Sequence, residues 1–191
     1  MRNIILLLIF FLNNQIVEGQ SLKYDSSKFT FIKSSKTFNT IEDILKLNQF
    51  KNKIVYIDLW GYGCAACMKE FEYMPAIRNK YNKNQVAYLF IYYKHADSIS
   101  ENILNNYWIK YSIDKKLYGT HLLAYIKPPQ QINNGHILTI RETQTITLDE
   151  DMYAIPRYMI ADKTGKITVF DAPKPNEREK LFATINKLLK P

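Results

Sequence analysis

Ile54-Val55-Tyr56-Ile57-Asp58-Leu59-Trp60-Gly61-Tyr62-Gly63-Cys64-Ala65-Ala66-Cys67 runs from a nearly continuous apolar segment into the chain's only two cysteines. An apolar run of this length without alternation is the pattern of a strand covered on both faces, so Ile54 to Leu59 reads as a central strand. Beyond it, Phe71, Met74, Ile77 and Tyr81 recur at helical spacing. The stretch 65–81 therefore reads as a helix, kinked near Pro75, where a proline removes a ladder hydrogen bond. The cysteines stand three apart, directly after a strand and at the start of a helix.

That placement points to thiol chemistry. Unpaired N–H groups and the positive end of the dipole at a helix start favour a thiolate, which makes Cys64 the exposed nucleophile and Cys67, one turn deeper, the resolving thiol. Such a pair cycles between dithiol and disulfide by exchange with a substrate disulfide. A purely structural bridge would close only a two-residue gap and gain almost no loop entropy. Zinc would need a second pair or histidines at ligand spacing, and His95, His121 and His136 show no such regularity; each alone reads as a surface or partly buried residue. A copper or other metal site using both thiolates and a distant histidine stands as the alternative from a different class.

Outward from this centre, Val86 to Tyr93 is the next apolar strand, and Ile99, Ile103, Leu104, Tyr107, Trp108 and Tyr111 form one helical stripe over 98–111. Strand, helix, strand, helix is the parallel α/β alternation. Residues 126–149 interrupt it with Pro128-Pro129, Asn133-Asn134-Gly135 and alternating Ile and Thr, the pattern of an inserted hairpin or edge ribbon. Arg157 to Ala161 and Lys166 to Asp171 read as two antiparallel strands about the turn Asp162-Lys163-Thr164-Gly165, and Asn176 to Lys190 as a closing helix. Upstream, Thr40 followed by Asp43 opens a short lead-in helix with Ile41, Ile44 and Leu45 inward, and 21–39 is Ser- and Lys-rich with scattered Phe.

With the strand, the cysteine pair and the downstream block Ala154-Ile155-Pro156-Arg157-Tyr158-Met159-Ile160-Ala161-Asp162-Lys163-Thr164-Gly165-Lys166-Ile167 in this order, the chain resembles thioredoxin-fold proteins, more closely the exported TlpA/ResA-type thiol-disulfide oxidoreductases. Ala172-Pro173-Lys174-Pro175 resembles the family's tail motif before the last helix. The resemblance covers roughly 37–190 and implies an α/β thioredoxin-like fold, a central mixed sheet flanked by helices. It also implies a site. Asp58 stands where thioredoxins bury a carboxylate behind the second cysteine, a proton acceptor for Cys67; read alone it is an Asp at a strand end satisfied by backbone N–H groups. Glu70 matches a glutamate kept near the cysteines, and reads equally as a solvated helix charge. Pro156 matches the cis-proline whose loop lets the Ile155 backbone pair with an extended substrate strand, and Trp60 packs beside the disulfide on the substrate side. The chain departs from the family at Gly63, where Trp is common, and at Ala65-Ala66, where Gly-Pro or a Pro is common, so the family's reduction potentials do not carry over.

Composition bounds the rest. The 191 residues are 47% hydrophobic and 23% charged, with 6 Gly and 7 Pro, which excludes disorder and collagen-like repeats and fits one packed domain. The net charge of +8 comes mostly from Lys, 21 against 5 Arg, dispersed along the chain, a pattern of surface solubility and not of nucleic-acid readout. Met1-Arg2, the nine apolar residues Ile4 to Leu12, and Val17-Glu18-Gly19 before Gln20 have the three parts of a secretory signal. That run is too short to cross a hydrocarbon core of about 30 Å. The expected organisation is a signal peptide over 1–19, a lead-in over 20–36 and the thioredoxin-like domain over 37–191. The expected protein is periplasmic or otherwise exported, without a stable membrane span. It exchanges or reduces disulfides in client proteins, takes electrons from or gives them to a partner protein, and carries no cofactor beyond the redox-active Cys64–Cys67 disulfide, since no dinucleotide fingerprint follows any strand. A peroxidase of the same fold would build on a single peroxidatic cysteine in another context.

Overall fold

One strand, β2 (Ile54–Gly61), is buried along all eight residues in the computed structural model, which describes residues 23–32, 41–95, 101–126, 136–139, 145–148 and 155–190. Side chains alternate across a strand, so β2 feeds two cores. Ile54, Tyr56 and Trp60 pack with Cys67, Phe71, Met74, Ile77, Trp108, Leu181 and Ile185 on one face. Val55, Ile57 and Leu59 pack on the other face with Ile41, Ile44 and Leu45 of α1 (Ile41–Leu45). Asp58 falls on the first face by the same alternation.

Around β2 the described strands β1 (Phe29–Ile32), β3 (Val86–His95), β4 (Gly119–Ile126), β5 (His136–Thr139), β6 (Thr145–Leu148), β7 (Arg157–Ala161) and β8 (Ile167–Val169) form one mixed sheet. Its order is β6-β5-β4-β3-β2-β7-β8, with β1 also on β4. β2, β3 and β4 are parallel, and β7 and β8 close the other side antiparallel. The helical residues 65–80 divide into α2 (Ala65–Glu70), a 3-10 turn Phe71–Tyr73 and α3 (Met74–Lys80), whose first turn holds Pro75. The interruption precedes the proline because its ring clashes with the carbonyl four residues back. α4 (Glu101–Asp114) and α5 (Arg178–Leu189) complete the helical layer. The 126–149 insertion contains an antiparallel hairpin, β5 with β6, whose first strand pairs with the end of β4.

Two strands escape the sequence reading. Phe29–Ile32, inside the lead-in, pairs in parallel with Gly119–Leu122. Its short run fell below the length that a period-two pattern needs to register. β4 was missed because Thr120 and His121 break its apolar run, yet both are buried. His121, read as a surface or partly buried residue, is fully buried instead. Its ring lies between Phe31 and Phe90, at centroid distances of 4.8 and 4.9 Å, and Nε2 is 2.7 Å from the Leu117 carbonyl. Burial pushes its pKa down to about 3, so the ring is neutral and Nε2–H donates to that carbonyl. The turn 162–165 forms as read: Asp162 Oδ1 accepts from the Thr164 and Lys166 amides, and Gly165 has φ +84°. The capping role of Thr40 and the signal segment 1–19 lie outside the described residues.

β3 and β4 approach each other closely at Gly119. A Cβ there would lie 2.7 Å from the Tyr88 carbonyl oxygen and 3.1 Å from Tyr88 Cβ, both on a strand that cannot yield. Gly119→Ala is expected to cost about 1–3 kcal/mol by forcing the strands apart, read as a lower urea midpoint at an unchanged slope.

Candidate functional site

Where β2 leaves the sheet, the chain turns through Gly61, Tyr62 and Gly63 into Cys64, the N-cap of α2. The Cys64 amide donates to the Gly61 carbonyl at 3.4 Å, the Cys67 amide to Cys64 Sγ at 3.1 Å, and the Met68 amide to the Cys64 carbonyl at 3.1 Å. Cys64 and Cys67 are joined as a disulfide with Cα atoms 5.3 Å apart. Cys64 is partly exposed whereas Cys67 is fully buried, so only one sulfur can meet another protein. Gly63 has φ +74° with open space around it. The left-handed backbone, not crowding, explains the glycine at this position.

Asp58 lies behind this turn. It is 0% exposed, and neither carboxylate oxygen has a hydrogen-bond partner among the described residues. Its reading as a strand-end Asp satisfied by backbone N–H groups therefore fails. Burial holds its pKa well above the ordinary carboxylate value, and the charge of Glu70 adds to the rise. Directly across the antiparallel pair stands Tyr158, also buried and with an unpartnered hydroxyl; its ring stacks on Tyr56 at 5.5 Å. Burial, followed by Asp58 and Glu70, keeps the Tyr158 phenol protonated.

Glu70 is 6% exposed, which rules out the solvated helix charge. Its Oε2 accepts from the Asn176 amide at 3.0 Å, and the Tyr56 hydroxyl donates to the Pro173 carbonyl at 2.9 Å. Both groups tie the proline-rich loop 172–176 to the floor of the site. Trp60 needs correction as a substrate contact. It is fully buried, with Tyr92, Phe71 and Tyr111 at ring-centroid distances of 4.7, 5.2 and 5.8 Å, and presents no surface to a client. Its period-two position on β2, facing the helical layer, carried that signal. Ile155-Pro156 is a cis peptide. Arg157 pairs with Leu59, so the two residues before it lie at the end of β2 from which Cys64 emerges, and Ile155 packs with Cys64 against one core.

Sequence reasoning missed Tyr62, which is 55% exposed next to the redox turn and packs edge-on against Tyr107 of α4 at 4.9 Å. Tyr107 in turn stacks on Tyr111 at 5.4 Å. Tyr107 and Tyr111 belong to one helical stripe, and their one-turn spacing brings both to the edge of the site. Among the described residues no group of three or more His, Cys, Asp or Glu converges as metal ligands.

Comparison with known proteins fits this geometry. The chain matches the solution structure of a Bacteroides vulgatus protein described as a candidate thiol-disulfide oxidoreductase, with a TM-score of 0.50 and 17% identity over 89% of this chain and 91% of that one. The fold is thioredoxin-like. Within that fold the sequence is similar to the thiol-disulfide oxidoreductases ResA of Bacillus thuringiensis strain Al Hakam and Bacillus anthracis. Each is 32% identical over 81 residues, 40% of this chain and 47% of the relative. The matched segment thus spans about half the length of these curated relatives. No family model matches the chain.

The thioredoxin-like sheet thus holds, on the face of β2 where Cys67 packs, a carboxyl whose pKa burial raises, and this has a pH consequence. Unfolded, Asp58 loses its proton around its ordinary value of 3.8; folded, it keeps it to much higher pH. Between those limits the folded state binds more protons, so Asp58 destabilises the fold increasingly as pH rises. Asp58→Asn is expected to raise stability by roughly 1 kcal/mol or more at pH 8, with the gain vanishing toward pH 4. Urea unfolding of both proteins across this range checks it.

Proposed function

We propose that this chain is an exported thiol-disulfide oxidoreductase that exchanges or reduces disulfides in client proteins through Cys64 and Cys67. The observation that carries the reading is a disulfide closing one helical turn, with its outer sulfur reachable and its inner sulfur buried on the same face of β2 that carries the buried Asp58 carboxyl. The similarity to ResA-type relatives supports it.

In the reducing direction the Cys64 thiolate attacks one sulfur of a client disulfide. A Cys64–client bond forms, the client S–S bond breaks, and one client sulfur leaves as a thiolate that takes a proton from water. Once Asp58 has given up its own proton, Cys67 passes its proton to the ionised Asp58 carboxylate and attacks Cys64 Sγ, which releases the second client sulfur as a thiolate that takes a proton from water. The client has gained two electrons and the Cys64–Cys67 pair has lost them; a partner protein restores the dithiol by the same exchange, and every step runs equally in reverse. Asp58 suits the transfer because its raised pKa brings it closer to a thiol than an ordinary carboxylate is. Glu70 keeps its carboxylate on the 172–176 loop and acts through its charge on Asp58. The Ile155-Pro156 loop, at the same end of the sheet, offers backbone to an extended client segment.

Export rests on the arginine, apolar run and small-residue site of residues 1–19, and no helix among the described residues is long and apolar enough to cross a membrane. The two sulfurs have separable roles. Cys67→Ser is expected to accumulate client adducts that dissolve on adding dithiothreitol, and Cys64→Ser to give none. Diagonal gels of the two variants decide, and equal trapping by both would remove the ordered exchange.

A further inference from the structure

At the opposite end of the sheet from the cysteines, where β2, β3 and β4 begin, a cleft of about 360 Å³ opens between the turn before β1, the end of α3 and the first residues of β4. Since β2 is eight residues long, roughly 25 Å of strand separates it from the redox turn. Four cations line it, Lys28, Lys53, Arg78 and Lys83, and among the described residues no Asp or Glu does. Asp25, outside the lining, pairs with Lys28 at 3.0 Å. Lys53 and Lys83 make no ion pair among the described residues, leaving a surplus of positive charge.

The walls add two further features. Arg78 is held in place: one guanidinium nitrogen donates to the Lys116 carbonyl, and the group lies 4.2 Å from the centre of the Tyr118 ring. A guanidinium has five N–H donors, so that single bond leaves most of them for a ligand. Tyr88 is 7% exposed, yet its hydroxyl is buried without a hydrogen-bond partner among the described residues, which costs free energy unless something supplies one. It lines the cleft close enough to Arg78 and Tyr81 for their charges to act on its ionisation. Phe50, Val86 and the Tyr118 ring give apolar walls, and the volume suits a small organic molecule better than a bare ion.

We propose that this cleft is a second ligand site, independent of the thiol chemistry, for a small organic phosphate whose dianionic group meets Arg78, Lys53, Lys83 and the Tyr88 hydroxyl. A phosphate monoester carries close to two charges at neutral pH and three acceptor oxygens, which matches several cations and a phenol donor better than a single carboxylate does.

Phenyl phosphate, benzoate and phenol, titrated into the full chain by calorimetry at low salt, test the assignment. Phenyl phosphate is expected to bind at one site, tighter than benzoate, with phenol giving no heat. The double variant Lys53→Gln, Lys83→Gln, whose side chains make no ion pair among the described residues, is expected to bind phenyl phosphate about tenfold more weakly or worse, and Tyr88→Phe several-fold more weakly. Lys53→Arg with Lys83→Arg should restore it. Absence of phenyl phosphate binding, equal binding of benzoate or phenol, or full affinity in both the double variant and Tyr88→Phe would overturn it. Binding should persist unchanged in Cys64→Ser, which separates this site from the exchange reaction.

Discussion

Burial of β2 on both faces dictates where chemistry can occur. A strand with all eight residues inside offers a reactive group no route to solvent except where the chain leaves the sheet. Gly61 to Gly63 supply that exit, and Cys64 is the first side chain beyond it with a cap to hold it. The same alternation that sends Val55, Ile57 and Leu59 into one core sends Asp58 to the other face, where Cys67 also packs. An ionised carboxylate without partners would be costly there, so the fold favours its neutral form. Structure and proposed proton transfer share one cause: the carboxyl is buried because the strand is central, and its pKa is raised because it is buried.

The three parallel strands also give the molecule two unlike ends. Their C-terminal end, bounded by the Ile155-Pro156 loop and by Tyr62 on Tyr107, presents one sulfur amid aromatic surface. Their N-terminal end presents cations around a cleft. The net charge of +8, read from sequence as dispersed solubility, is therefore locally organised. Lys28, Lys53 and the pair Arg78 and Lys83 are widely separated along the chain, and only the convergence of three turns with the end of α3 brings them together.

Much of the site was legible because it is contiguous. The strand, the turn and both cysteines occupy fourteen consecutive residues, and the apolar run fixes which way they face. The cis-proline and Asp58 followed from resemblance, and the structure supplied their setting: an acid with no partner and a loop at the same end of the sheet. What stayed hidden depends on long-range pairing. β1 has only four residues, and its pairing with β4 is parallel and non-local. β4 carries a histidine that reads as polar until two phenylalanines from different strands enclose it. Trp60 beside a reactive turn suggested contact with clients, but its parity on β2 sends it inward. Glu70 could not be placed from sequence, because its partner is a backbone amide 106 residues away.

The account turns on an asymmetry between the two sulfurs, and titration of the reduced protein measures it directly. Thiolate absorbance followed against pH, in the wild type and in Cys67→Ser, should show Cys64 ionising well below the ordinary thiol value of about 8.5 and Cys67 above it. In Asp58→Asn the Cys64 step should move far less than the Cys67 step. Two thiols ionising together near the ordinary value, or a Cys67 that ionises first, would contradict the division of labour that the buried carboxyl and the capped helix impose.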